Sequence, residues 1–305
     1  MRAGRNRRDA PAAGQRRRIL VVEDDADMRE FLSLLLGETY DLFLRSSAEE
    51  ALALARDAQP DALLLDIVLP GMDGFAFLRA LRRDVHTADI PAILLSAEAD
   101  EEVRLRAFEE GAADYLAKPF HARELVARIE KAVRAAEERR ELWHLATTDA
   151  LTGLANLRFL RETLAREIER VQRYGEPLTL VLIDMDGLKE INDRRGHEAG
   201  NEALRILADT IRSTLRSADF AARFGGDEFA ILLPHSDAEE GARLAERIRL
   251  ALGSEGSLPL RASFGIASVD GTAADANQLF TTADRALYEA KRMGKDRVVV
   301  ARGER

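Results

Sequence analysis

The chain of 305 residues contains no cysteine. That excludes a disulfide framework and any thiolate metal site. It also suits a reducing compartment, and a cytoplasmic location is expected. No apolar run approaches the ~18 residues that a membrane-spanning helix needs, so no membrane insertion is expected. The opening stretch, MRAGRNRRDAPAAGQRRR, is basic but has no apolar centre, so it is not expected to be a secretory signal. Residues 1–16 read as a disordered basic arm. Positive charge does not extend to the whole chain, whose formal net charge is −9. That balance argues against bulk binding to nucleic acid. Neither glycine nor proline interrupts residues 121–145. Nothing in that stretch would break a helix.

What is present is enough for two cores, at about 100–200 residues per domain. The first part alternates short apolar runs with amphipathic stretches. RILVV (Arg18–Val22), DALLLD (Asp61–Asp66) and IPAILLS (Ile90–Ser96) read as strands buried on both faces. YDLFL and ADYLA are weaker strand candidates. Ser47, with Glu50 three residues on, reads as a capping box. Five βα repeats predict an α/β domain with a doubly wound, five-stranded parallel sheet. From His121 one long helix is expected. Leu125, Ile129, Ala132 and Ala136 follow 4-3-4 spacing, and Arg139, Trp143 and Ala146 continue it. Arg139 spoils a coiled-coil seam there, so a dimerising stalk and a lone connecting helix both stand. A second, mixed α/β domain is expected from about Thr148. Its strands are Leu178–Asp186, Phe229–Pro234, Arg261–Val269 and Arg297–Ala301, with an antiparallel hairpin around ARFGGDEFAILLP. The boundaries are then 17–122, 123–147 and 148–302. The two domains show no internal repeat.

In an open parallel sheet, chemistry gathers at the carboxyl ends of the strands. Glu23, Asp24 and Asp25 follow the first strand, Asp66 ends the third, Ser96 ends the fourth and Lys118 follows the fifth. Each acid alone could be a helix N-cap. Together at one sheet edge they repel unless a hard cation such as Mg²⁺ neutralises them, and a lysine and a hydroxyl beside them can hold phosphoryl oxygens. ILVVEDD, LLLDIVLPGMDG, ILLSA and YLAKPF stand in the order found in response-regulator receiver domains, which residues 18–120 resemble. The resemblance implies that Asp66 accepts a phosphoryl group from a cognate histidine kinase. It implies that Glu23, Asp24, Asp66 and the carbonyl of Val68 hold Mg²⁺. Ser96 and Tyr115 then occupy switch positions, Lys118 contacts the phosphoryl group, and the Lys118–Pro119 bond is cis.

In the second domain a glycine turn between strands is the ordinary way to make a hairpin. That does not account for two adjacent carboxylates, Asp227 and Glu228. Nor does it account for Asp184 and Asp186 at the end of another apolar strand, with Lys189, Asn192 and Asp193 on the helix beyond. Two such strands side by side make a divalent-metal site of the kind nucleotide-joining enzymes need. DALTGLANLRFL, DMDGLKEINDRRGHEAGN, RSADFAARFGGDEF, SFGIA and ADRALYEAKRMGK resemble, in order, the GGDEF domain of diguanylate cyclases. That fold is palm-like, and the implied reaction joins two GTP into cyclic di-GMP with release of two pyrophosphates. The resemblance implies that Asp184, Asp227 and the carbonyl of Met185 ligate Mg²⁺. Glu228 is implied as a further ligand or as an aid to deprotonating the 3′-hydroxyl. Gly225 and Gly226 would pass close to the nucleotide, Lys189, Lys291 and Lys295 would neutralise the triphosphate, and Asn192 and Asn201 would meet guanine. It also implies a homodimer, since each domain holds one GTP. Arg216, Asp219 and Arg247 match the family's inhibitory product-binding site.

Besides the lysine at 295, where the family commonly has arginine, three positions depart from the family pattern. Leu157 stands for an arginine, Leu188 for a common phenylalanine, and Asn201 for the aspartate that accepts from guanine. Asparagine presents an amide donor to a guanine donor, a mismatch worth about 1–3 kcal/mol. Asparagine can instead pair bidentately with adenine. Relaxed base choice with a mixed GMP–AMP product is therefore one alternative. A GGDEF domain that only binds nucleotide is another. A DNA-binding regulator is disfavoured, because no helix-turn-helix segment is left over.

Overall fold

A computed structural model of the chain describes residues 16–97, 100–254, 260–271 and 274–301. Most of the basic arm expected at residues 1–16 therefore lies outside the described residues. The chain divides into two compact units between Leu142 and Trp143.

In the first unit β1 (Arg18–Val22), β2 (Asp41–Arg45), β3 (Ala62–Asp66), β4 (Ala92–Ser96) and β5 (Asp114–Ala117) form one parallel sheet in the order β2-β1-β3-β4-β5. Helices α1 (Ala26–Leu36), α2 (Ala48–Ala58), α3 (Gly74–Arg83) and α4 (Glu101–Glu109) fill the crossovers. The interior strands are apolar throughout because both faces are covered. Leu20, Val22, Leu63 and Leu65 join one core, and Ile19, Val21, Ala62 and Leu64 join the other. The strand order reverses between β1 and β3, and this switch point leaves a crevice at their carboxyl ends.

Helix α5 runs unbroken from Ala122 to Thr147. Its Leu125, Ile129, Ala132, Val133 and Ala136 are buried in the first unit. The continuation expected through Arg139 is not buried there, since Arg139, Arg140 and Glu141 are exposed. The capping box at Ser47 is corrected. Ser47 is the N-cap of α2 but makes no side-chain capping bond. Glu50 is exposed at that turn, where water competes for the free amides.

The second unit has α6 (Leu157–Tyr174), β6 (Leu178–Met185), α7 (Leu188–Arg195), α8 (His197–Thr214), β7 (Phe220–Arg223), β8 (Glu228–Pro234), α9 (Ala238–Ser254), β9 (Ala262–Val269), α10 (Ala276–Arg292) and β10 (Val298–Val300). Its mixed sheet has the order β10-β9-β6-β8-β7, and β6 is antiparallel to both β8 and β9. Side chains alternate along β6. Val181, Ile183 and Met185 face the core shared with α8 and α9, while Leu180 and Leu182 face that shared with α6 and α10. Gly265 on β9 explains the SFGIA motif. A Cβ there would lie 2.2 Å from Leu287 N and 2.3 Å from Ala283 O, so α10 packs its backbone directly on the strand.

Candidate functional site

Each unit carries its own cluster of polar groups. In the first, β1 and β3 deliver their carboxyl-end acids to the switch-point crevice. Oxygens of Glu23, Asp24 and Asp66 lie within 4.8 Å of one another, and among the described residues this is the group of three acids gathered closely enough to hold a metal ion. Three hard oxygen donors suit Mg²⁺. Lys118, beyond β5, donates to Glu23 Oε2 at 2.7 Å and to Asp66 Oδ2. Burial pushes the Glu23 carboxyl up to about 7; Asp66 adds to this and Lys118 opposes it. Val68 N–H donates to Asp66 Oδ1 at 2.9 Å, which orients the carboxylate. Ser96 is buried at the end of β4, and Tyr115 is buried on neighbouring β5, in register with Leu94. The Lys118–Pro119 bond is cis.

Asp25 does not join the cluster. Its carboxylate caps α1 by accepting from Met28 N–H at 2.8 Å. The sequence reading missed Arg29. Its Nη1 donates to the carbonyls of Glu23 at 2.8 Å and Asp24 at 2.7 Å, holding the acidic loop from behind. The spacing of five residues from Asp24, one helical turn past the cap, was the available signal.

In the second unit, antiparallel register sets Asp184 on β6 directly opposite Glu228 on β8. Asp184 has the parity of Leu182, and Glu228 that of Ala230 and Leu232. Both carboxylates therefore face the α10 side of the sheet. There Lys291 of α10 donates to Asp184 Oδ2 at 2.6 Å. Burial raises the Asp184 carboxyl above its ordinary range; Lys291 opposes this and Asp227 adds to it. Burial likewise raises Glu228, with Asp184 and Asp227 adding to the shift. These carboxylates raise one another's affinity for a proton, which a cation would relieve; unlike Glu23, Asp24 and Asp66, they are not gathered into a three-acid group among the described residues. Met185 N–H donates to Asp227 O at 3.0 Å, which ties the hairpin turn to the strand end.

The two glycines of the turn differ. Neither has a positive φ, so the hairpin does not require glycine for its backbone shape. A Cβ on Gly225 would fall 2.2 Å from Glu228 Oε2, because that side chain folds back over the glycine. A Cβ on Gly226 would meet nothing within 4 Å. Gly226 thus presents an open backbone face.

Lys189 is exposed in the first turn of α7, and Lys295 is exposed beyond α10. Asn192 lies against the α8 backbone. Its Oδ1 would be 1.9 Å from a Cβ on Gly200, the residue just before Asn201. Gly200 thereby allows both asparagines to stand at one helix junction. Leu188 packs on the core in place of an aromatic ring, and Leu157 opens α6 behind its N-cap Asn156. In the Arg216–Asp219 turn the carboxylate accepts from the Arg216 backbone N–H at 2.8 Å. The Arg216 side chain is exposed. Arg247 on α9 reaches Thr214 O, just before that turn, at 3.4 Å.

Arg223 and Asp149 are a second omission of the sequence reading. Arg223 donates to both Asp149 oxygens, at 3.0 and 3.1 Å, and its Nη2 donates to Gly226 O at 2.7 Å. Asp149 also accepts from Thr152 N–H at 2.9 Å and Thr152 Oγ1 at 2.7 Å. The segment just after α5 is thus joined to the glycine turn by one guanidinium fork.

Residues 146–297 match the family described as diguanylate cyclase, GGDEF domain, and residues 19–130 match the response regulator receiver domain. The chain is 31% identical over 298 residues to the response regulator PleD of Caulobacter vibrioides, covering 92% of this chain and 65% of that regulator. It is 46% identical over 162 residues to the diguanylate cyclase DgcP of Pseudomonas aeruginosa, covering 51% of this chain and 24% of that enzyme. The chain therefore spans less than two thirds of the length of these curated relatives. A solved structure of the coiled coil and GGDEF domain of DgcB from Caulobacter crescentus, in complex with c-di-GMP, matches with a TM-score of 0.54 at 30% identity. That match covers 58% of this chain and 97% of the solved one.

Proposed function

The chain belongs to the response regulators that join a receiver domain to a GGDEF domain, and from this we propose that it is a diguanylate cyclase controlled by phosphorylation. The observation that carries the reading is the Asp184–Glu228 cross-strand pair, set beside the glycine turn and facing Lys291. The substrate is GTP. Each 3′-oxygen attacks the α-phosphorus of the other nucleotide, two pyrophosphates leave, and cyclic di-GMP forms. Two copies of the domain must face each other, so the working form is a homodimer.

Asp184, Asp227, Glu228 and the carbonyl of Met185 would hold Mg²⁺, which supplies charge neutralisation at the triphosphate and acidifies the 3′-hydroxyl. Glu228, with its raised carboxyl, is suited to take that proton or to complete the ligand set. Lys189, Lys291 and Lys295 neutralise phosphate oxygens. Lysine at position 295 keeps the charge of the family's arginine but loses its fork. Asn192 and Asn201 meet the base. Gly225 leaves room for Glu228, and Gly226 lets a phosphate approach the backbone. Arg216, Asp219 and Arg247 form an inhibitory site for the product.

In the receiver, Asp66 takes a phosphoryl group from a histidine kinase. Glu23, Asp24, Asp66 and the carbonyl of Val68 would hold Mg²⁺, Lys118 would meet the phosphoryl oxygens, and Ser96 and Tyr115 would respond to them. Phosphorylation adds about −1.5 to −2 charges, which biases two arrangements lying within a few kcal/mol of each other. The assigned limits are 17–122 for the receiver, 123–147 for the linker and 148–302 for the cyclase. GTP and a kinase's phosphoryl group are both met in the cytoplasm. Among the described residues no helix is long and apolar enough to cross a membrane.

Asn201 favours a second reading of base choice, in which adenine competes with guanine. The test is to incubate the protein with Mg²⁺ and equal GTP and ATP, then identify products by mass spectrometry. Cyclic di-GMP alone supports the cyclase with guanine selectivity. A mixed GMP–AMP product supports the second reading. No product, with or without a phosphodonor, refutes both in favour of a nucleotide-binding module.

A further inference from the structure

The turn after α10 holds Lys295 in a backbone conformation that side-chain-bearing residues rarely adopt. Gly294, Lys295 and Asp296 have φ of 112°, 62° and 47° in succession. Glycine takes such values freely and aspartate does so occasionally, but lysine rarely does. Strain of this kind persists where the surroundings over-determine it, and it clusters at functional sites.

The surroundings here are specific. Lys295 N–H donates to Ala290 O at 3.1 Å, and Arg297 Nε donates to Lys295 O at 3.1 Å. Asp296 N–H donates to Asp186 Oδ2 at 3.0 Å. Asp186, two residues beyond Asp184, is itself fixed by Ser263 Oγ, 3.0 Å from both of its oxygens. The Asp296 carboxylate accepts from Arg249 Nη1 at 3.1 Å. Arg249 is held on α9 by Glu246, through Nε at 2.9 Å and Nη2 at 2.6 Å. The end of β6, the start of β9 and the body of α9 therefore converge on one strained turn. Asp186 and Asp296 are used up in this network, which leaves Asp184 and its partners to the site proper. Arg249 meets the Asp296 carboxylate at 3.1 Å, while Arg261 stands further from it, at 3.9 Å.

We propose that Arg249 is a positioning residue for nucleotide binding: by clamping Asp296 it holds the strained turn that aims Lys295 at the triphosphate. This rests on the cyclase reading of Lys295. Arg249 touches no substrate itself. Its effect is confined to the phosphate end of the nucleotide, because Asn192 and Asn201 stand on α7 and α8, outside this network.

The test uses the full chain with Mg²⁺ and calorimetric titration of two ligands: a GTP analogue with a methylene between the α- and β-phosphorus, and GMP. Arg249→Met, which keeps the aliphatic stem, should weaken the analogue about tenfold while leaving GMP affinity unchanged. Arg249→Lys should recover part of the loss, since an ammonium can reach Asp296 but cannot also fork onto Glu246. Lys295→Ala sets the scale. If Lys295→Ala weakens the analogue and Arg249→Met does not, the positioning role is wrong and the cyclase reading stands. Equal weakening of both ligands by Arg249→Met would show a general structural role and overturn the proposal. If Lys295→Ala leaves the analogue's affinity unchanged, the assignment of Lys295 falls, and this inference falls with it.

Discussion

Gly225 and Gly226 are adjacent but answer to different constraints. A methyl on Gly225 collides with the Glu228 carboxylate at 2.2 Å, the far end of a side chain that can swing away. A methyl on Gly226 has open space around it. Gly226→Ala should therefore leave the melting temperature unchanged and lower GTP affinity about tenfold, if a phosphate approaches that backbone. Unchanged affinity in a titration would remove Gly226 from the nucleotide site. At Asn201 the prediction concerns selectivity. Asn201→Asp restores a carboxylate that accepts from guanine and should raise the GTP-over-ATP preference by about tenfold or more. A competition assay showing the same preference before and after would sink the base-choice reading. Glu23 gives a pH dependence. Its carboxyl, ordinarily at 4.5, is pushed to about 7, first by burial. A carboxyl raised on folding takes up a proton between those values, so its contribution to stability falls as pH rises through that window. A cation in the cluster competes with the same proton. Mg²⁺ should therefore raise the receiver's melting temperature more at about pH 8 than at about pH 6. Equal shifts in calorimetry at both values would show that Glu23 is not the competing group.

At the scale of elements, apolar periodicity made every major strand legible, because a strand buried on both faces must be apolar throughout. The weaker YDLFL and ADYLA runs are β2 and β5, at the two edges of their sheet, where one neighbour and partial cover suffice. The short β7 has only FAAR to mark it and is defined by its pairing with β8. Helix α5 was legible as one helix, but not the point at which its buried face ends. That point depends on where the sheet beneath it stops. Packing also decides Gly265. Gly265→Ala drives a Cβ into the α10 backbone, which cannot swing aside as a side chain does. The expected loss is about 1–3 kcal/mol of stability, seen as a lower melting temperature. Nucleotide affinity should fall with it, because α10 carries Lys291. A melting temperature equal to that of the parent chain would show that α10 does not bear on β9 so tightly.

For the whole molecule, the proposed phosphorylation control runs through Asp66. Asp66→Asn removes the proposed phosphoacceptor while leaving every residue of the second unit in place. Basal production of cyclic di-GMP should persist, and its stimulation by a small-molecule phosphodonor should vanish. Stimulation that survives in the variant would place the input elsewhere. The Arg223–Asp149 fork, within the second unit, links the segment after α5 to the glycine turn. Both residues stand in motifs legible in the sequence, but their pairing was not, because they lie 74 residues apart.

The sequence by itself determined the two sheets, the carboxylates at their strand ends, the glycine turn between β7 and β8, and the long helix. All of these are local patterns, in which an apolar run sets the strand and the polar residue that ends it marks the edge. Tertiary structure alone decided which charges meet. Lys291 finds Asp184 across 107 residues because strand parity turns Asp184 toward α10 and Gly265 lets that helix approach. Asp25 becomes a helix cap while Asp24 beside it joins the cluster, because Asp25 stands just ahead of α1 and Asp24 at the switch point. Asp186 anchors the Lys295 turn rather than joining Asp184, since β6 ends at Met185 and frees it to meet Ser263 and Asp296. Such pairings depend on sheet order, register and helix approach. These are fixed by burying the whole core at once, not by any one stretch of chain.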